Sequence, residues 1–120
     1  MKHVLIVDDN QSDRFLTRSL VEKLGYVVYE VFDGSKVDHA LKLVTPNLII
    51  MDLLMPNKDG FETLEEINQK GLDIPVIVLS CAGDEFKEKV LGLNAKACFQ
   101  KPYDAKEFMK TVQKLVERPA

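Results

Sequence analysis

Residues 47–52 read Asn47-Leu48-Ile49-Ile50-Met51-Asp52, a short apolar run that ends on a carboxylate. A strand with one wet face alternates apolar and polar side chains, whereas a nearly continuous apolar run suits a strand buried on both faces of a parallel sheet. The run is Asn47-Met51, with Asp52 just beyond it. Runs of the same kind recur outward at His3-Val7, Val27-Val31, Ile74-Leu79 and Ala97-Gln100. Val27-Val31 carries Tyr29 and Glu30, and Lys96 and Gln100 bracket the fifth run. Polar residues of this kind suit the edges of a sheet. Pro75 lies near the start of its run, where a strand tolerates proline.

Between the runs the apolar residues take a helical period. Leu16, Leu20 and Leu24 mark a first helix, and Gly25 ends it. Val37, Ala40, Leu41 and Val44 mark a second, and Phe61, Leu64 and Ile67 a third. Phe86 and Val90 mark the fourth; Ala105, Phe108, Met109, Val112 and Val116 form the last stripe. Asp104, with Glu107 three residues on, is a capping pattern for that last helix. The chain is thus strand then helix, five times over. Right-handed crossovers turn that order into an α/β fold, a doubly wound five-stranded parallel sheet in a three-layer sandwich. Its length suits one domain over residues 1–120.

Composition narrows the function. The net charge is −3 with both signs mixed along the chain. That is not the basic footprint of a nucleic-acid binder, so direct DNA or RNA binding is not expected. No apolar run approaches the length that crosses a bilayer, and no signal-peptide pattern opens the chain. Cys81 and Cys98 form neither CxxC nor zinc spacing and read as two buried, reduced thiols. A cytoplasmic location follows as the expectation. His3 and His39 read as ordinary side chains, and Met51 and Met55 as packing.

Doubly wound sheets bind ligands beyond the carboxyl ends of their strands. Asp8 and Asp9 follow the first run, Asp52 the third, Ser80 the fourth and Lys101 the fifth. One Asp after a strand is usually a turn or cap residue. Three carboxylates, a hydroxyl and an ammonium at one rim are harder to explain by capping. Carboxylates crowded together repel and raise one another's pKa. A hard divalent cation relieves that, and Mg²⁺ suits carboxylates that share it with phosphate oxygens. Lys101 adds a positive charge. Positioning and charge stabilisation are what phosphoryl transfer needs, and an aspartate can be the nucleophile that forms an acyl phosphate.

The motifs Val7-Asp8-Asp9, Met51-Asp52-Leu53-Leu54-Met55-Pro56 running on to Asp59-Gly60, Leu79-Ser80 and Lys101-Pro102 carry a resemblance. From Val4 to about Val116 the chain resembles the receiver domain of bacterial two-component response regulators, including the single-domain chemotaxis type. The resemblance implies a flavodoxin-like sheet of order 2-1-3-4-5. It implies Asp52 as phosphoacceptor, and Asp8, Asp9, Asp52 and the backbone carbonyl of Leu54 as Mg²⁺ ligands. Ser80 would bond a phosphoryl oxygen and Lys101 would pair with the phosphoryl group. Lys101-Pro102 would be cis. Such a domain is no enzyme beyond its own phosphorylation and dephosphorylation. Its donor would be a histidine kinase or histidine phosphotransferase. Its protein target would meet the fourth helix, fifth strand and fifth helix, and it would be a monomer or weak dimer without a membrane partner. Two positions depart from the family. Cys81 replaces the usual Ala or Gly after the hydroxyl residue. Cys98 replaces an aromatic that swings inward on activation, and Phe99, by strand alternation, should face the opposite side. Leu54 and Ala82, two residues past Asp52 and Ser80, cannot orient a hydrolytic water, which implies a long-lived acyl phosphate.

Three other functions compete. An aspartyl-phosphate hydrolase would carry an acid two residues after its nucleophile, where this chain has Leu54. A nucleotide or flavin domain would show GxGxxG or a Walker lysine, and neither is present. A relic receiver that binds partners without phosphorylation would not keep all five site residues.

Overall fold

The computed structural model describes residues 1–118 except Pro56 and residues 81–83, and not the side chains of Ser80, Asp84 and Glu85. The strands are β1 (His3–Val7), β2 (Val27–Val31), β3 (Leu48–Asp52), β4 (Val76–Ser80) and β5 (Ala97–Gln100). The helices are α1 (Gln11–Lys23), α2 (Val37–Leu43, entered through a 3₁₀ turn at Gly34–Lys36), α3 (Gly60–Gln69), α4 (Asp84–Gly92) and α5 (Ala105–Val116). All strand pairs are parallel, in the order β2-β1-β3-β4-β5. The expected fold class and strand order therefore hold.

Side-chain alternation splits the core into two layers. Val4, Ile6, Leu48, Ile50, Ile77 and Leu79 face α1 and α5, where they meet Leu20, Val21, Phe108, Val112 and Val116. Leu5, Val7, Ile49, Met51, Val76 and Val78 face the other way, against Val37 of α2, Leu64 and Ile67 of α3 and Val90 of α4. These strands therefore needed apolar residues at consecutive positions. Phe99 packs with the first layer and Cys98 with the second, as alternation required.

Two strands begin later than the apolar runs suggested. Asn47 lies before β3: its side chain accepts the His3 N–H at 2.9 Å, and its own N–H donates to the His3 carbonyl at 2.8 Å. β4 starts at Val76 rather than Ile74, because Pro75 has no N–H to donate; its carbonyl still accepts from Ile49 at 3.0 Å. The thiol of Cys98 is half-buried rather than fully buried, and Cys81 lies outside the described residues. Burial nonetheless pushes the Cys98 thiol pKa up, against the opposing charge of Lys87.

Caps fix the helix starts that face the site. Asn10 accepts the Asp13 N–H at 2.9 Å to open α1, and Asp59 accepts the Glu62 N–H at 2.9 Å to open α3. Asp104 accepts the Glu107 N–H at 3.0 Å, so the expected cap of α5 forms. Gly25 ends α1 with a φ of 88°, a conformation that favours glycine.

Candidate functional site

β1, β3 and β5 deliver their ends to one rim. Asp8 leaves β1 almost fully buried, 1% exposed, and Asp52 closes β3 at 7%. Asp9 is exposed to solvent. Asp8, Asp9 and Asp52 each offer a carboxylate oxygen, and these oxygens lie within 4.8 Å of one another. Lys101 follows β5 and spans the group: its ammonium donates to Asp8 Oδ2 at 3.2 Å and to Asp52 Oδ2 at 3.3 Å. Asp8 is held through both its side chain and its backbone. Its Oδ1 accepts the Asn10 N–H at 2.9 Å, and its backbone carbonyl accepts from Arg14 at 2.8 Å. The Lys101-Pro102 peptide is cis, as expected.

Two other expected site residues are only partly placed. Ser80 ends β4 opposite Gln100 of β5, which puts its backbone at the same rim; its side chain lies outside the described residues. Leu54 lies two residues past Asp52 and is 55% exposed. Ala82 lies outside the described residues. One contact was absent from the sequence reading. Asp13, in the first turn of α1, accepts from the Lys101 ammonium at 2.9 Å, the shortest of the three carboxylate contacts. Its signal was an acid four residues after Asp9, in a helix that starts at this rim.

The electrostatics match the crowding. The Asp52 pKa is raised to about 6, chiefly by burial; the Lys101 charge and hydrogen bond lower it, and the Asp8 charge adds to the rise. Burial works against the charged form of Lys101, but the bond to Asp13 and the charges of Asp52 and Asp8 outweigh it and hold its pKa above the ordinary value. The ammonium therefore stays charged at any physiological pH. The donor set consists of hard carboxylate oxygens, two of them on buried residues, and it fits a cation such as Mg²⁺ rather than a soft metal.

The sequence matches the family model of the response regulator receiver domain over residues 4–113. The chain belongs to that family. This receiver is 38% identical to Response regulator RR06 of Streptococcus pneumoniae, an alignment covering 97% of this chain and 54% of the relative. It is 32% identical to the alkaline phosphatase synthesis transcriptional regulatory protein PhoP of Bacillus subtilis, covering 98% of this chain and 49% of that protein. The chain spans about half the length of these curated relatives. Its fold superposes on the receiver domain of the Francisella response regulator 1452 with a TM-score of 0.91 at 25% identity, covering 98% of both chains. Membership of the receiver family implies phosphorylation-dependent signalling. Among the described residues no helix is long and apolar enough to cross a membrane.

Proposed function

We propose that residues 1–120 form one receiver unit that takes a phosphoryl group on Asp52 from a phosphohistidine of a histidine kinase or phosphotransferase. The observation that carries this reading is the placement of Asp52, a buried carboxylate at the end of β3 with the Lys101 ammonium 3.3 Å from its Oδ2. In the transfer, a carboxylate oxygen of Asp52 forms a bond to phosphorus as the P–N bond breaks, and the electron pair leaves with the imidazole. Asp8, Asp9, Asp52 and the backbone carbonyl of Leu54 would hold Mg²⁺, which when bound neutralises charge on the phosphoryl oxygens. Lys101 supplies a donor held between Asp8, Asp13 and Asp52, and Ser80 a hydroxyl that closes on the product. Nothing in this cycle acts on another substrate, so the domain catalyses only its own modification. The setting is cytoplasmic.

Closure of Ser80 shifts the population of α4, β5 and α5, the face that meets the protein target. Cys98 lies on the α3–α4 side of β5, with no ring to swing inward. The connection after β4 therefore carries more of the signal. The test is a set of backbone amide NMR spectra with Mg²⁺ and beryllofluoride, an acyl-phosphate mimic. Shifts spreading from the Asp52 rim into α4 and β5, and absent in Asp52→Asn, are expected. Shifts confined to the rim would contradict the switch.

A further inference from the structure

α1 meets the segment after β5 through two side chains four residues apart, which places them on one helix face. Asp13 accepts from the Lys101 ammonium at 2.9 Å, and Thr17 shares a hydrogen bond with the Tyr103 hydroxyl at 2.9 Å. Thr17 is buried. Asp13 is also pinned through its backbone, whose N–H donates to the Asn10 cap at 2.9 Å. The backbone that carries Asp13 is thus held by the cap on one side and the Thr17–Tyr103 contact on the other.

An ammonium has three N–H donors. Those of Lys101 meet three different carboxylates: Asp8 at 3.2 Å, Asp13 at 2.9 Å and Asp52 at 3.3 Å. Asp13 stands outside the group of three that could share a cation. We propose that Asp13 is a positioning residue for phosphorylation, anchoring the Lys101 ammonium so that the donor aimed at Asp52 meets the incoming phosphoryl group without rearrangement. This rests on Asp52 being the phosphoacceptor. As the phosphoryl group arrives, that one donor turns to its oxygen while Asp8 and Asp13 keep the other two. A donor already in place stabilises developing charge better than one that must reorient. Without Asp13, one donor turns to solvent and the ammonium loses its outer anchor.

The side chain of Asp13 is 43% exposed, so water screens the pair and the effect is modest. Asn keeps an acceptor oxygen of the same shape but drops the charge; Ala drops both. The measurement is self-phosphorylation by acetyl phosphate at saturating Mg²⁺ in wild type, Asp13→Asn, Asp13→Ala and an Asp52→Asn control. The maximal rate is expected to fall about two- to fivefold in Asp13→Ala and to stay near wild type in Asp13→Asn. Loss of the negative charge lowers the donor concentration at half-maximal rate equally in both. Equal maximal rates in all three proteins, or equal losses in the two variants, overturn the proposal. Labelling of Asp52→Asn overturns the site reading and the proposal with it. A second measurement needs no phosphorylation: the Lys101 ammonium NMR signal of the metal-free protein. It should be sharp in wild type and Asp13→Asn and broadened by exchange in Asp13→Ala. An unchanged signal in Asp13→Ala overturns the anchoring role even where phosphorylation proceeds as expected.

Discussion

The ammonium of Lys101 reaches past β4 to lie 3.3 Å from Oδ2 of Asp52, two strands away in the sheet. Adjacent strands are spaced about 4.8 Å apart, so only a long side chain bridges that gap. The same ammonium meets Asp8 from β1. A single cation thus ties three strand ends into one site, and it lowers the Asp52 pKa that burial, chiefly, and the Asp8 charge raise.

Asp52→Asn should stabilise the metal-free protein at neutral pH. The folded pKa of Asp52 is raised, to about 6, chiefly by burial. Its protonated form therefore favours folding below the ordinary pKa, and that contribution is lost as pH rises through about 6. Asn, which never ionises, keeps it. One pKa unit corresponds to about 1.4 kcal/mol, and solvent at the rim screens part of the shift, so a gain on the order of 1–2 kcal/mol is expected. Urea denaturation should show the gain at pH 7.5 and little of it at pH 4. A variant equally stable to wild type at both would contradict the strained carboxylate.

Mg²⁺ affinity should respond unequally to the two leading acids. Asp9 is exposed and free to turn toward an ion, whereas Asp8 is committed to Lys101 and the Asn10 N–H. Asp9→Ala is expected to weaken binding by about tenfold or more, and Asp8→Ala to a lesser degree, by titration of amide shifts with Mg²⁺. Equal affinity in wild type and Asp9→Ala would rule out this ligand set.

Gly60→Ala should cost about 1–3 kcal/mol and disturb Asp52 directly. A Cβ at Gly60 would sit 2.8 Å from the Asp52 carbonyl oxygen and 2.9 Å from Leu53 Cα. Both are backbone atoms that cannot give way cheaply. The Gly60 N–H also donates to the Leu53 carbonyl at 2.8 Å, which fixes the turn behind Asp52. Thermal denaturation and the phosphorylation rate should both fall; a variant with unchanged melting would show that the turn is looser than its geometry.

Leu54→Asn should shorten the life of the phosphorylated protein. Leu54 presents an apolar, exposed side chain two residues past Asp52 and offers nothing to align a hydrolytic water. An amide there supplies that hydrogen bond. The decay of label after donor removal, at saturating Mg²⁺, is expected to speed up several-fold; an unchanged decay would mean that loop dynamics sets the lifetime.

Much of this was legible in the sequence because strand burial and strand ends leave local marks. Apolar runs such as Leu48-Ile49-Ile50-Met51 announce burial on both faces, and Asp8, Asp52 and Lys101 directly follow such runs. The opposite facings of Cys98 and Phe99 follow from a period of two. The start of β4 was not legible, because Ile74 extends the apolar run while backbone pairing waits for the residue after Pro75. Asp13 was not legible either. An acid in the first turn of a helix reads as a complement to the helix dipole. Only the reach of Lys101 across the sheet shows that it meets a cation instead.

The most direct test of the central claim is to locate the phosphoryl bond. The protein would be phosphorylated by acetyl phosphate with Mg²⁺, reduced with borohydride, which converts an aspartyl phosphate to homoserine, and mapped by peptide mass spectrometry. The account predicts homoserine at position 52 alone, dependent on Mg²⁺. Homoserine at Asp8, Asp9 or Asp13, or no conversion at Asp52 in protein that has gained phosphate, would contradict it.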